Sequence, residues 1–255
     1  MSSTEVYETT GKVEANGDHL ERLRTVGGHV DDRTQPSLPT THRRLANPSP
    51  LGLLSFATGI FLISCYGVKA RDVMVPNVLV GVLVFFGGIC QFISGIMEMI
   101  SGNTFGATVF PSYGAFNLAY AMIYIPGSGI LAAYTDKTTG LLTPEFSQAL
   151  AIWLWAWFIL TVIFTVAAMR SSWILFADLA VLSVELLLLA AGYMTNRSDL
   201  LTAGNSLGFV VAFLSYWAGT AGLWAGGLTP FNVPTFPIKA ASSVRSDDWN
   251  LRPGA

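Results

Sequence analysis

The stretch Asn47-Pro48-Ser49-Pro50-Leu51-Gly52-Leu53-Leu54-Ser55-Phe56-Ala57 joins a polar segment to the first long apolar run of the chain. The side chain of Asn47 can cap exposed helix amides, and proline lacks the N–H group that the first turn of a helix leaves unpaired. The apolar run begins at once after these residues. The stretch therefore predicts a helix that starts at a membrane boundary.

The composition is that of a membrane protein. Of the 255 residues, 52% are hydrophobic and only 12% are charged, whereas an ordinary soluble domain is roughly 25% charged. Most of the charged residues lie near the two ends of the chain. The net charge of −2 argues against nucleic acid as a partner, because a nucleic-acid-binding protein carries a basic stripe.

Six long apolar segments follow the polar N-terminal part, at about 51–68, 78–100, 105–125, 148–169, 172–194 and 201–227. Each is close to the roughly 20 residues that cross a bilayer as a helix. The sequence predicts an all-α membrane protein with six transmembrane helices in a membrane domain over 47–228. A disordered cytosolic N-terminal tail over 1–46 and a cytosolic C-terminal tail over 229–255 flank this domain. An even number of spans puts both termini on the same side, and basic residues divide equally between the two sides.

A five-residue motif is repeated in the third and sixth segments. Gly102-Asn103-Thr104-Phe105-Gly106 recurs as Gly204-Asn205-Ser206-Leu207-Gly208. Because three helices per unit is an odd number, two such units would lie in the membrane with opposite topology, as in many transporters. The repeated motif predicts two inverted three-helix repeats. Coincidence among glycine-rich apolar segments is the alternative explanation for the motif.

These motifs carry a family resemblance. Read with Gly102–Gly106 and with Ser112-Tyr113-Gly114, the opening stretch resembles the acetate uptake transporter family. That family includes bacterial succinate–acetate permeases and fungal acetate and ammonia transporters. The resemblance implies a plasma-membrane protein with cytosolic termini that passes acetate, other small monocarboxylates and, in some members, succinate. It also implies a homo-hexameric ring with one pathway in each subunit.

The resemblance also implies an apolar constriction in the pathway. By motif alignment its members are Phe56, Tyr113 and Leu182, the last counted back from Ala190-Ala191-Gly192, with Leu179 as a neighbouring alternative. A narrow apolar ring excludes water and ions, while a tyrosine hydroxyl can pass one small carboxylate across. Plain core packing is the alternative role for each aromatic residue.

Polar residues at helix entries are candidate substrate ligands. A helix N-terminus offers unpaired N–H groups and partial positive charge, which suit a carboxylate without a buried cation. The residues predicted to bind substrate or to line a helix entry are Asn47, Asn103, Thr104, Ser112, Asn205 and Ser206. Ordinary N-capping explains several of them equally well.

Two carboxylates lie in or near the apolar segments. A charged residue within a bilayer costs about 2.5–3.5 kcal/mol on insertion scales, so such residues are functional candidates. Glu98 and Glu185 are therefore candidates for proton coupling. For Glu98, a structural role as the partner of the turn near Gly102 is an equal alternative.

Transport of small carboxylates, linked to protons, is the leading functional hypothesis. An ammonium or ammonia exporter and a non-transporting carboxylate sensor are the alternatives. The segments contain no histidine, since His19, His29 and His42 all precede them, and they contain no paired-aspartate motif. We therefore expect no enzyme activity, no cofactor and no metal site, with protons, membrane lipid and small carboxylates as partners.

Overall fold

The computed structural model describes residues 22–24, 30–32, 46–225, 229–230 and 232–238. The chain divides into two compact units, Met1–Leu45 and Ala46–Ala255. In the first unit, two short antiparallel strands, β1 (Arg22–Arg24) and β2 (Val30–Asp32), pair with Leu23 opposite Asp31. The sequence did not predict these strands. The rest of the predicted tail 1–46, apart from Ala46, lies outside the described residues, and its disorder stays a prediction.

The described part of the second unit is helical. Its long helices are α1 (Ser49–Gly67), α2 (Leu79–Ser101), α3 (Thr104–Tyr124), α4 (Pro144–Ala168), α5 (Trp173–Thr195) and α6 (Ser198–Leu223). Each overlaps one of the predicted apolar segments. Shorter pieces, Ala70–Asp72 and Ile130–Ala133, lie in the connections.

Five of these helices are long and apolar enough to cross a membrane: α1, α2, α4, α5 and α6. The structure therefore supports a multi-pass membrane protein with five candidate spans. Helix α3 has 21 residues, but glycine, proline and polar residues such as Asn117 lower its hydropathy below that of the others.

Local sequence explains where the first helices begin and end. Asn47 accepts a hydrogen bond from the backbone N–H of Ser49 at 3.1 Å, as its capping role predicted. Helix α2 ends at Gly102, whose φ of +81° is a left-handed conformation that glycine adopts without strain. Asn103 then caps α3 by accepting a hydrogen bond from the N–H of Gly106 at 3.3 Å. The turn from α2 to α3 is thus fixed by residues 102–106.

The middle of α2, Val82–Cys90, is a π-helix. π-helical turns, which pair residues i and i+5, are rare and often lie at functional sites. Here the amide of Asn117 on α3 donates to the carbonyl of Gly87 at 2.8 Å. This buried bond ties the irregular turn of α2 to α3.

The helices pack against one another around a main buried cluster and two smaller ones. Helix α6 packs along both α1 and α5, α5 packs along α4, and α2 packs along α3. The end of α6 returns to the start of α1, because a Cβ on Gly222 would lie 3.1 Å from Pro50. The two ends of the helical unit are therefore neighbours.

The described C-terminal residues also pack at this end of the bundle. Pro237 pairs with Ser172 in an isolated bridge, and the indole N–H of Trp217 donates to the carbonyl of Pro234 at 2.8 Å. The backbone N–H of Trp173 donates to the carbonyl of Phe236 at 3.0 Å. The segment 232–238 is therefore held against the start of α5.

Candidate functional site

An aromatic pair separates two cavities inside the bundle. The rings of Phe56 on α1 and Tyr113 on α3 have centroids 5.1 Å apart and planes inclined by 44°. Both side chains are buried. One cavity lies along the C-terminal half of α1 and the other near its start, and both residues line both cavities. Phe56 and Tyr113 therefore form the wall where the two cavities meet.

The wide cavity, along the C-terminal half of α1, has a volume of about 270 Å³. Its lining is largely apolar and aromatic, with Tyr66, Tyr120, Tyr124 and Tyr193 among its members. The hydroxyls of Tyr120 and Tyr124 lie 3.1 Å apart. Glu185, Asn205 and Lys69 are further polar residues in this lining.

The narrow cavity, near the start of α1, has a volume of about 70 Å³. Its polar lining residues are Ser49, Gln91, Asn103 and Asp178. The Nε2 of Gln91 is buried and has no hydrogen-bond partner among the described residues. Asp178 accepts a hydrogen bond from Ser215 at 2.8 Å. The lining of the narrow cavity therefore includes one amide with an unpaired donor and one carboxylate that is already bonded.

The two leucines of the predicted constriction lie on opposite sides of the aromatic pair. Leu182 lines the wide cavity, and Leu179 lines the narrow one. Both are buried in α5. The structure therefore places Leu182 with Phe56 and Tyr113 in the lining of the wide cavity, and the alternative, Leu179, with the same pair in the lining of the narrow cavity.

The side chain of Tyr113 contacts one hydroxyl and several aromatic rings. Its hydroxyl lies 2.8 Å from Oγ1 of Thr161 on α4, and its ring packs against Trp157 and Phe164 with centroid distances of 6.3 and 5.8 Å. Thr161 is fully buried. The tyrosine is therefore fixed by α4 as well as by Phe56.

Glu98 is buried at the turn between α2 and α3. Its carboxylate accepts hydrogen bonds from the hydroxyl of Ser49 and from the side-chain amide of Asn103, the latter at 2.7 Å. It is not among the lining residues of either cavity. The geometry supports the structural role that the sequence left as an alternative, because Glu98 joins the start of α1 to the capped start of α3.

Glu185 has the opposite environment. It is 2% exposed, it lines the wide cavity, and its Oε2 has no hydrogen-bond partner among the described residues. A buried polar atom without a partner calls for a bound proton, water or ion. Of the two predicted coupling carboxylates, Glu185 is the one that faces a cavity.

The polar residues of the repeated motif, in 102–106 and 204–208, do not have equivalent positions in the structure. Asn103 caps α3, but α6 begins at Ser198, so Asn205 lies two turns inside that helix. The prediction that Asn205 and Ser206 stand at a helix entry is wrong, because the helix continues past the glycine that was taken to break it. Asn205 still reaches the wide cavity.

The hydroxyls predicted as substrate ligands lie outside the cavities. Ser112 and Ser206 donate to carbonyls of their own helices, Thr108 and Thr202, at 2.7 Å in each case. Thr104 and Ser206 are exposed. None of the three is a lining residue of the described cavities.

Sequence reasoning missed several lining and supporting residues: Gln91, Asn117, Thr161 and the tyrosines of the wide cavity. It also missed the buried, unpaired hydroxyl of Ser64. Gln91 and Asn117 carried a signal, because an amide in an apolar segment needs a buried partner. Ser64 and Thr161 carried none, since hydroxyls in membrane helices usually bond their own backbone.

Comparisons with known proteins agree on a family. The model of the GPR1/FUN34/yaaH family matches residues 30–240. Acetate permease A of Emericella nidulans is 34% identical, with 80% of this chain and 71% of the relative covered. Ammonia transport outward protein 2 of Saccharomyces cerevisiae is 39% identical, with 72% of this chain and 64% of the relative covered.

A solved structure shares the fold. The structure of the bacterial acetate channel SatP aligns with a TM-score of 0.62 at 26% identity, covering 71% of this chain and 93% of that chain. The predicted resemblance to acetate transporters is thereby confirmed. The chain belongs to the GPR1/FUN34/yaaH family.

Proposed function

We propose that this chain is a membrane transporter or channel that passes acetate and other small monocarboxylates between the two cavities, across Phe56 and Tyr113. The observation that carries this proposal is that both residues line both cavities. A solute that leaves one cavity for the other must displace or pass this pair. Acetate is the preferred substrate because relatives named for acetate transport and an acetate channel share the chain's family and fold.

The cavity chemistry suits a small carboxylate. In the narrow cavity, Nε2 of Gln91 is an unused donor for a carboxylate oxygen. An amide binds an anion without the tight hold of a lysine or arginine, so release stays fast. At the junction, the apolar rings exclude ions that keep their hydration shell, as in hydrophobic constrictions of channels.

The membrane arrangement follows from the helix order. We infer that α3 is a sixth span, shielded from lipid by its neighbours, and that two inverted three-helix units make up the transport domain. Six spans put both termini in the cytosol of a plasma-membrane protein, with the narrow cavity facing the cytosol. The neighbouring positions of Asn47 and Gly222 support an even number of spans.

Protons and self-association complete the proposal. Glu185 is the coupling residue, since it is buried, faces the wide cavity and has a free carboxylate oxygen.

The described part of α2 exposes large apolar side chains such as Phe85 and Ile93, which suit lipid or subunit contacts. A homo-hexamer with one pathway per subunit is the assembly that we expect.

Ammonium export is the second candidate. A relative named for outward ammonia transport is 39% identical over 185 residues, and Glu185 lies in the wide cavity without a bonded partner for its Oε2. A carboxylate in the pathway suits a cation better than an anion. Flux measurements with both substrates separate the two functions.

The test is uptake of labelled acetate by liposomes that carry the purified protein, with and without an inward proton gradient. Saturable uptake that unlabelled acetate competes away supports the proposal, and acceleration by the gradient supports proton linkage. Uptake no faster than in empty liposomes would overturn it. A parallel assay of ammonium flux, read by internal pH, then tests the second candidate, and binding without flux of either solute would indicate a sensor.

A further inference from the structure

Two reciprocal contacts bring helices α1 and α6 unusually close. The side chain of Asn205 on α6 lies over Gly67 of α1, where an added Cβ would be 1.9 Å from its Oδ1. One helical turn away, α6 supplies the glycine and α1 supplies the polar side chain. There, a Cβ added to Gly208 would lie 2.0 Å from Oγ of Ser64. Each helix thus supplies a glycine to receive a polar side chain of the other.

We call this close contact between α1 and α6, at Ser64, Gly67, Asn205 and Gly208, the seam. The carboxylate of Glu185 reaches the seam from α5. Its Oε1 lies 2.8 Å from the Cβ position of Gly208, the point that Ser64 also approaches. Three side chains on three helices therefore bring oxygen atoms to one seam, and two of these side chains, Glu185 and Asn205, also line the wide cavity.

Two of these side chains have a buried oxygen without a partner; in Glu185 it is Oε2, the second oxygen of the carboxylate whose Oε1 approaches Gly208. The Oγ of Ser64 and the Oε2 of Glu185 have no hydrogen-bond partner among the described residues. The amide nitrogen of Asn205 donates to the carbonyl of Leu201 at 2.7 Å, so only its oxygen is left for another ligand. Ser64 is fully buried and Glu185 is 2% exposed. Unpaired buried oxygens of this kind mark the place of a bound water or ion.

The charge of the seam decides the kind of ion. Glu185 supplies one negative charge, and no basic side chain in the described residues lies within ion-pair distance of it. Lys69 lines the wide cavity but is exposed, and Asp178, the other buried acid of α5, is bonded to Ser215. One carboxylate with neutral oxygens balances one positive charge, whereas divalent cations prefer six or more oxygens, several of them carboxylate.

We propose that Glu185, Ser64 and Asn205 form a binding site for a small monovalent cation in the seam between α1, α5 and α6. The site goes beyond the proposed function, which needs only a carboxylate pathway and a proton. It rests on that function in one respect, since the cation reaches the seam through the wide cavity. A bound cation would neutralise Glu185 beside the path of an anion.

The test uses the purified full-length protein in lipid nanodiscs without acetate. Thermal melting is followed in sodium, ammonium or choline chloride at one pH and one ionic strength, because a ligand that binds the folded state raises the melting temperature in a saturable way. We expect stabilisation by sodium or ammonium over choline. Glu185→Gln should abolish it, and Ser64→Ala should raise the half-saturating concentration at least tenfold.

Glu145→Gln is the matched control, because Glu145 is an exposed carboxylate at the start of α4, and it should keep the wild-type response. Equal melting in all three salts, or an unchanged response in Glu185→Gln, would overturn the site. Acetate uptake measured on the same protein separates the two proposals. Uptake without a cation response removes only the site, and a cation response without uptake removes only the transport of acetate.

Discussion

The hydroxyl of Tyr113 lies 2.8 Å from Oγ1 of Thr161, and both side chains are buried. Tyr113 lies on α3 and Thr161 lies on α4. The bond therefore links the two halves of the helical unit at the place where its two cavities meet. It also fixes the direction of the hydroxyl that a passing carboxylate would meet.

We predict that Thr161→Val lowers the maximal rate of acetate uptake about fivefold, while Thr161→Ser keeps it. Valine preserves the shape of threonine but removes the hydrogen bond, and a buried hydrogen bond is worth about 1 kcal/mol. Uptake by liposomes checks this, with the amount of folded protein measured in parallel. Equal rates in the valine and serine variants would show that the bond does not support the pathway.

A second prediction concerns Glu98. Ser49→Ala removes one of the three side-chain donors to its buried carboxylate, the others being Ser101 and Asn103, and a hydrogen bond to a charged group contributes about 1.5–3 kcal/mol. We expect Ser49→Ala to lower the melting temperature clearly. Thr104→Ala, which changes an exposed residue beside the same turn, should have a much smaller effect. Equal melting of the two variants would contradict the role of Ser49.

The seam between α1 and α6 gives a third prediction. Gly208→Ala places a Cβ 2.0 Å from Oγ of Ser64, whereas a Cβ on Gly81 meets nothing within 4 Å. Overpacking of this kind typically costs about 1–3 kcal/mol, but alanine is favoured over glycine in a helix by up to about 1 kcal/mol. Gly208→Ala should therefore destabilise the protein and Gly81→Ala should not, as judged by thermal melting. The reverse order would refute the close packing.

A fourth prediction is that the effect of a proton gradient on uptake depends on Glu185. Glu185→Gln keeps the size of the side chain and removes its titration, so uptake should continue without acceleration by an inward proton gradient. The measurement is the ratio of initial rates with and without the gradient, and Glu145→Gln should keep the wild-type ratio. An unchanged ratio in Glu185→Gln would exclude it as the coupling group.

The sequence predicted the helical architecture well because hydrophobic length is a direct signal. All six apolar segments lie in helices, Asn103 caps α3, and Asn47 accepts a bond from the N–H of Ser49 at the start of α1. The start of α6 was misjudged, because Gly204 packs inside the helix instead of breaking it. Glycine has two uses in membrane helices, termination and close packing, and local sequence does not separate them.

The site was predicted only in part. Family motifs located Phe56 and Tyr113, whose side chains meet as expected, and they left Leu182 and Leu179 as alternatives that the structure places on opposite sides. The polar partners Thr161 and Ser64 could not be predicted, since their roles depend on which helices become neighbours. Contacts between helices far apart in the chain leave little trace in local composition.

The most direct test of the account is the passage of acids of increasing size through Phe56→Ala, with Phe61→Ala as control. Both residues lie on α1, but Phe61 is 42% exposed and is not among the lining residues of either cavity. If the pathway crosses the aromatic pair, Phe56→Ala will let butyrate and larger acids pass that the wild type excludes, and Phe61→Ala will keep the wild-type selectivity. Unchanged selectivity in Phe56→Ala, or the same gain in both variants, would contradict a pathway between Phe56 and Tyr113.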